Sequence, residues 1–321
     1  MKDLSYYETL ILIDEIKRIF EKELETELDL IKVQSPLFVK SSSGLQDRLS
    51  GVEKAVLFTK EGEDFEVVHS LAKWKRDSLG KYGFPMHKGL YTDMKAIRQD
   101  EEVDRLHSMY VEQWDWEKVI SKEDRTVDYL KDTVRKIYGA LKRTSDFVYE
   151  KYGMREQKLA DNITFVTTQE LEDMYPDLTP KEREYIITKK YGAVFIMGIG
   201  DKLKSGEIHD HRSPDYDDWS LDGDILVYDE AIDSVVELSS MGIRVDKEAM
   251  LDQLEKSDSL DRILLPFHQK ILKDEVPLSI GGGIGQSRVL MFILGKKHIA
   301  EVQASAWQEK TEEKVKKLQI L

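Results

Sequence analysis

The sequence predicts an α+β fold: a mixed, largely antiparallel β-sheet flanked by helices. Two observations carry this reading. Connections between strand-like segments are short, as in Val227-Tyr228-Asp229-Glu230-Ala231-Ile232, and short connections make hairpins, hence antiparallel pairs. The helical stretches are clustered and do not alternate regularly with strands, which argues against a doubly wound parallel sheet.

The elements follow in order. Ile13, Ile16, Phe20 and Leu24 recur at helical spacing with charges elsewhere, a long amphipathic helix ending near Leu28-Asp29-Leu30. Ile31-Lys32-Val33-Gln34-Ser35-Pro36-Leu37 reads as a short strand closed by proline. Further strands are predicted at 55–58, 65–68, 90–97, 109–114, 193–197, 224–228 and 235–239. Helices are predicted at 71–79, 127–152, 180–190, 247–254 and from Gln286 onward. No repeat or low-complexity linker interrupts them, and the 7 prolines are scattered singly, so residues 1–321 read as one domain.

Composition narrows the function classes. At 40% apolar residues the chain has material for a sizeable core. It holds no apolar run approaching the ~18 residues of a membrane-spanning helix. Met1-Lys2-Asp3-Leu4 lacks the basic-then-apolar layout of a signal peptide. The absence of cysteine rules out disulfides and thiolate metal sites and fits a reducing, cytoplasmic setting. A formal charge of -14 opposes a broad nucleic-acid-binding face.

The most informative stretch is Ser279-Ile280-Gly281-Gly282-Gly283-Ile284-Gly285-Gln286-Ser287-Arg288. Glycines let a backbone approach a ligand closely and supply positive φ. The helix start that follows offers free N–H groups to an anion, and Arg288 in its first turn can stack on a base or pair with a phosphate. The run matches neither G-x-x-x-x-G-K-[ST] nor G-x-G-x-x-G. A glycine-rich turn packing a helix against a strand is the plain alternative.

Three other segments carry candidate chemistry. In the strand around Gln113, alternation puts Gln113, Asp115 and, if the strand runs that far, Glu117 on one face, and Tyr110, Glu112, Trp114 and Trp116 on the other. An amide beside a carboxylate suits a small zwitterion. Asp224 and Glu237 lie on a predicted hairpin ahead of Arg244, and two carboxylates without protein cations are natural Mg²⁺ ligands. Ser70 reads as an N-cap for the helix carrying Lys73 and Lys75; residues two apart diverge, so one lysine at most should face a site there. His209 and His211 raise a transition-metal hypothesis, but Pro214 and dense charge favour a loop. No G-x-S-x-G or cysteine nucleophile appears, which disfavours covalent catalysis.

Taken together, these segments resemble the catalytic core of class II aminoacyl-tRNA synthetases, and more closely the ammonia-dependent asparagine synthetase (aspartate–ammonia ligase) family. The resemblance runs over essentially the whole chain. It is carried by 31–36, by Leu45-Gln46-Asp47-Arg48-Leu49-Ser50-Gly51, by 67–76, 110–116, 214–219 and 237–244, and by the glycine run. It implies the class II catalytic-core fold. It also implies that L-aspartate, ATP and ammonia give L-asparagine, AMP and pyrophosphate through a β-aspartyl adenylate. Residue by residue, it implies that Arg98 holds the α-phosphate, that Arg288 contacts adenine or the terminal phosphate, and that Asp224 and Glu237 hold Mg²⁺ on ATP. Ser70, Lys75, Gln113, Asp115, Ser240 and Arg244 are expected around the amino acid, with Lys75 selected over Lys73. Asp47 and Asp217 are expected near the ammonia entry, where a carboxylate can hold NH₄⁺ and accept its proton. A homodimer joined through the N-terminal helix and the strand ending at Pro36 is also implied.

The rivals are an aspartyl- or asparaginyl-tRNA synthetase-like enzyme, a non-catalytic amino-acid- or nucleotide-binding paralogue, and a metal hydrolase on His209 and His211. Pro36 lies too near the N-terminus for an anticodon-binding domain to precede it, and the acidic charge opposes a tRNA surface. Arg98, Glu237 and Arg288 are all present, against a silent paralogue.

Overall fold

The computed structural model describes residues 4–47, 49, 53–153 and 159–321. Arg48, Ser50 and Gly51 of the expected ammonia-side segment lie outside the described residues.

Helix α1 (Tyr6–Leu28) opens with a capping box: the Ser5 hydroxyl accepts from the Glu8 N–H, and the Glu8 carboxylate accepts from the Ser5 N–H. Its buried stripe is Leu12, Ile16, Phe20, Leu24 and Leu28. Ile13, expected in that stripe, is half-buried at its edge. Next come strands β1 (Leu30–Lys32), β2 (Phe38–Lys40), β3 (Leu57–Lys60) and β4 (Glu63–Val67), helix α2 (Ala72–Tyr82), β5 (Gly89–Ile97) and β6 (Tyr110–Val119). Then follow α3 (Val127–Tyr152), β7 (Thr164–Thr167), α4 (Thr168–Met174), α5 (Pro180–Tyr191), β8 (Ala193–Met197), β9 (Asp217–Asp229) and β10 (Ser234–Arg244). The chain ends with α6 (Lys247–Lys256), α7 (Pro266–Leu272), β11 (Ser279–Gly285), α8 (Gln286–Leu294) and α9 (Glu309–Val315).

Among the described residues, eight strands form the main sheet in the order β1-β5-β6-β11-β10-β9-β8-β7, and β2-β4-β3 form a second small sheet. Pairing in the main sheet is antiparallel from β5 across to β8 and parallel at the two edges, β1–β5 and β7–β8. The α+β class and the largely antiparallel sheet are therefore as expected.

One face of the sheet is closed by α1, α3 and α8 over the main core. There the Phe20 and Trp114 ring centroids are 4.6 Å apart. Trp114 and Trp116 join this core, while Gln113, Asp115 and Glu117 turn to the opposite face, as a period of two requires. That opposite face carries the cleft.

The glycine run departs from expectation. Instead of a turn with positive φ, Ser279–Gly285 is a strand, paired with β6 on one side and β10 on the other, and none of its glycines has positive φ. Close approach is the reason for glycine here. A Cβ on Gly283 would stand 2.7 Å from both Asp115 Oδ1 and Gln113 Oε1, and one on Gly282 would stand 2.6 Å from Met241 Cβ. Bare backbone leaves the neighbouring side chains room to stand over β11. The helix start is where the sequence put it, with Gly285 as N-cap and Arg288 in the first turn of α8.

Candidate active site

The floor of the cleft is the middle of the sheet, and its inner end is built from ion pairs on adjacent strands. Arg244, at the end of β10, reaches across glycine-bearing β11 to Glu117 on β6. Its Nε lies 3.0 and 3.1 Å from the two Glu117 oxygens and its Nη2 lies 2.7 Å from Oε2. Its Nη1 donates to Asp217 Oδ1 at the start of β9. Ser279 Oγ adds a 2.7 Å bond to Glu117. Burial pushes the Glu117 carboxyl up, but the Arg244 guanidinium outweighs it and holds the group below its ordinary value.

Helix α2 supplies the roof. Lys75 is buried, with Nζ 2.9 Å from Gly282 O and 3.4 Å from Asp115 Oδ2. Burial lowers its pKa, and Asp115 opposes that shift. Lys73 points elsewhere, as the helix geometry demands. Its Nζ lies 2.7 Å from Asp215 Oδ2 and 3.4 Å from Gln46 O, within a node that also brings His268 Nε2 (2.9 Å) and Arg262 Nη1 (3.3 Å) to Asp215. The helix starts one residue later than the N-cap reading of Ser70 implies, yet Ser70 Oγ still accepts from the Ala72 N–H at 3.1 Å.

Asp47, Ser70, Lys75, Gln113, Asp115, Asp217, Ser240 and Arg244 all line one inner chamber of about 70 Å³, with Tyr216 and Arg98. Asp47 is fully buried. Its Oδ1 accepts from the Leu49 N–H at 2.9 Å, and its Oδ2 has no hydrogen-bond partner among the described residues. Burial raises the pKa of this carboxyl, with the nearby Lys73 charge pulling the other way.

Gln113, Ser240, Tyr216, Gly283 and Arg98 also line a larger outer cleft of about 500 Å³, which Glu237, Arg288, His107, His211 and Arg212 complete. Arg98 Nε and Nη2 each lie 3.4 Å from His69 O. Arg288 is held by Leu106 O at 3.4 Å and Glu237 O at 3.2 Å. Arg98, Arg288 and Glu237 thus share one cavity.

Asp224 differs from its expectation. It is not on the cleft wall and it is not free of protein cations, because Arg212 Nη2 lies 2.7 Å from its Oδ1. Glu237 is nearer to the expected state, with Oε1 3.7 Å from Arg288 Nη1 and a side chain 42% exposed. Arg212 is the residue that sequence reasoning missed. It sits within the run examined for His209 and His211, and the basic side chain between histidine and proline was the available signal. His209 Nε2 lies 3.1 Å from Glu184, away from the cleft, whereas His211 lines the outer end.

A sheet antiparallel through its middle, with paired charged residues beneath a cleft of about 500 Å³, is the fold shared with the catalytic core of class II aminoacyl-tRNA synthetases. Asparaginyl-tRNA synthetase from Pyrococcus horikoshii, complexed with asparaginyl-adenylate, matches at a TM-score of 0.66 and 13% identity, over 91% of this chain and 67% of that one. The Entamoeba histolytica asparaginyl-tRNA synthetase in complex with asparaginyl-adenylate matches at 0.63 and 14%, over 93% of this chain and 66% of that one. This chain spans about two-thirds of the length of those synthetases, and the likeness is one of fold.

Sequence carries the assignment further. The aspartate-ammonia ligase family model matches residues 7–319. The aspartate–ammonia ligase of Clostridium perfringens is 56% identical over 309 residues, covering 95% of this chain and 92% of that one. The Fusobacterium nucleatum enzyme is 53% identical over 321 residues, covering 100% and 98%. The chain belongs to the aspartate–ammonia ligase family.

Proposed function

We propose that the cleft amidates L-aspartate with ammonia at the expense of ATP, releasing AMP and pyrophosphate through a β-aspartyl adenylate. The observation that carries the reading is the shared wall of the two chambers. Cations suited to phosphate stand at the outer end, a small charged chamber lies at the inner end, and Arg98, Gln113 and Ser240 border both.

Attack of a carboxylate on an α-phosphorus brings two anions together, so the site must supply cations and fixed geometry more than a nucleophile. Arg98 and Arg288 supply the positive charge for the nucleotide. Lys75 and Arg244 face the carboxylates of aspartate; Asp115, Gln113, Ser70 and Ser240 accept from or donate to its polar groups. Asp47 is the group for ammonium: a buried carboxylate oxygen with no hydrogen-bond partner among the described residues is costly to maintain, and a small cation satisfies it. With Asp217 across the chamber, Asp47 takes the proton that must leave before nitrogen attacks the activated carbonyl.

Glu237 on the cleft wall and Asp224 close behind it, once released by Arg212, are the hard oxygen donors we assign to Mg²⁺, few enough for phosphate oxygens to complete the shell. A bound Mg²⁺ would neutralise charge on the departing pyrophosphate.

The test is incubation with aspartate, ATP, Mg²⁺ and ammonium, with AMP and asparagine as the expected products. ADP as the nucleotide product, or no asparagine, would sink the reading. Asp47→Asn should depress the ammonia-dependent step more than aspartate-dependent pyrophosphate exchange; equal loss would place Asp47 in adenylation instead.

The reading includes a cytoplasmic homodimer. In its support, α1 exposes Tyr6, Tyr7, Leu10 and Ile11, and Ile31 and Leu37 are exposed nearby in sequence. Light scattering should return twice 37.3 kDa; a monomer at micromolar concentration would remove the dimer. No helix among the described residues is long and apolar enough to cross a membrane, and cell fractionation checks the compartment.

A further inference from the structure

Arg212 lies in the connection between β8 and β9 and is committed on three sides. Its Nη2 is 2.7 Å from Asp224 Oδ1, its Nε is 3.3 Å from Asp222 Oδ2, and its Nη1 is 2.6 Å from Ser240 Oγ. The side chains are 10%, 14% and 0% exposed for Arg212, Asp224 and Asp222. The guanidinium therefore occupies a carboxylate oxygen that the reading above gives to a divalent cation. A guanidinium stays charged at any physiological pH, so it and a metal ion compete for the same oxygen and repel each other. Arg212 also lines the outer cleft with Arg98 and Arg288, where a nucleotide's phosphates would offer it a new anionic partner.

We propose that Arg212 is a resident counter-cation that holds Asp224 in the ligand-free enzyme and passes to the nucleotide phosphates on binding, making metal and nucleotide bind synergistically. The inference rests on the nucleotide and metal assignments under Proposed function and adds a residue and a coupling to them. The free metal ion meets an acid already paired. Once phosphates are present, Arg212 exchanges one anion for another and Asp224 becomes available. Coupling of this kind is reciprocal, so nucleotide should tighten metal binding by the same factor as metal tightens nucleotide.

The experiment measures Mn²⁺ binding to the full chain by electron paramagnetic resonance without nucleotide. Binding of α,β-methylene ATP is then measured by calorimetry with and without Mn²⁺. Arg212→Met should bind Mn²⁺ alone about tenfold more tightly than wild type and lose that same factor from the metal–nucleotide coupling, while the part due to direct metal–phosphate coordination persists. Adding Asp224→Asn to that variant should erase the gain. Ser240→Ala, which loosens Arg212 without changing charge, should give a smaller gain and covers the case in which Arg212→Met does not fold. A role confined to bracing the loop would lower thermal stability and leave Mn²⁺ affinity within about twofold of wild type, which overturns the proposal. If wild type shows metal–nucleotide synergy but neither variant binds Mn²⁺ more tightly, the coupling through Arg212 fails and the metal assignment stands. If Mn²⁺ has no effect on nucleotide binding in any form, the metal assignment fails and takes this inference with it.

Discussion

The two ends of the cleft are built in opposite ways. At the inner end the charged groups stand mostly on strands and on helix α2, are buried, and are already paired with each other: Arg244 with Glu117 and Asp217, Lys75 with Asp115. At the outer end Arg98, Arg212 and Arg288 stand at element ends or in a loop, and Arg98 and Arg288 rest chiefly on backbone carbonyls at 3.2–3.4 Å. The inner end is thus part of what holds the fold together, while Arg98 and Arg288 at the outer end are held loosely enough to change partners. Burial decides the difference, because a desolvated charge must be paired to exist at all.

The contrast breaks if two arginines respond alike. Arg244→Met leaves Glu117 and Asp217 buried beside each other, and removing one member of a buried pair costs about 3–5 kcal/mol. Urea unfolding of the ligand-free protein should show that loss, alongside absent activity. Arg288→Met removes a side chain 22% exposed with long contacts, and should change stability by no more than about 0.5 kcal/mol. Its kcat/KM for ATP should nevertheless fall by roughly 10²–10³, the scale of losing one preorganised charge. Similar unfolding curves for the two variants would erase the distinction between the ends.

A third substitution sharpens it. Gly283→Ala would place a methyl 2.7 Å from Asp115 Oδ1 and Gln113 Oε1, so those two side chains must shift. A misplacement of about 1 Å can cost on the order of 10² in rate. The loss should appear in kcat/KM for aspartate, with the KM for ATP little changed. A variant equally impaired toward ATP would show that the two ends are one rigid unit.

The same division explains what was legible in the sequence. Strand alternation put Gln113, Asp115 and Glu117 on one face, and helix geometry separated Lys75 from Lys73, because those rules depend only on local backbone period. The long helix Val127–Tyr152 and the strand Ala193–Met197 have the predicted bounds. Strands β9 and β10 extend well past the predicted 224–228 and 235–239, since polar residues there are buried by pairing across the sheet. β7, α4 and α7 escaped notice; they are short, and their burial comes from partners distant in sequence. For the glycine run the strand was not legible, because local sequence shows where glycine is but not which neighbour needs the space. Arg212 escaped for a related reason: its partners Asp222, Asp224 and Ser240 meet it only once the loop folds back over β9 and β10.

The smallest expected effect concerns a carboxylate at the inner end with one oxygen left without a hydrogen-bond partner among the described residues. Asp47 is buried, one of its oxygens lacks a partner among the described residues, and burial raises its pKa above the ordinary aspartate value of 3.8. A carboxyl with a raised folded-state pKa binds its proton more tightly folded than unfolded. Stability therefore falls as pH rises from the ordinary value through the raised one, and at neutral pH the ionised group is a net cost. Asp47→Asn should then stabilise the ligand-free protein by about 1 kcal/mol at pH 7, even as it depresses the ammonia-dependent step. The gain should shrink as the medium is acidified and vanish below the ordinary value, where wild-type Asp47 is protonated in both states. Thermal unfolding of both proteins between about pH 3 and 8 measures it. A variant less stable than wild type at neutral pH would mean that Asp47 is satisfied within the free protein, and that the inner end keeps no unpaired charge in wait for a ligand.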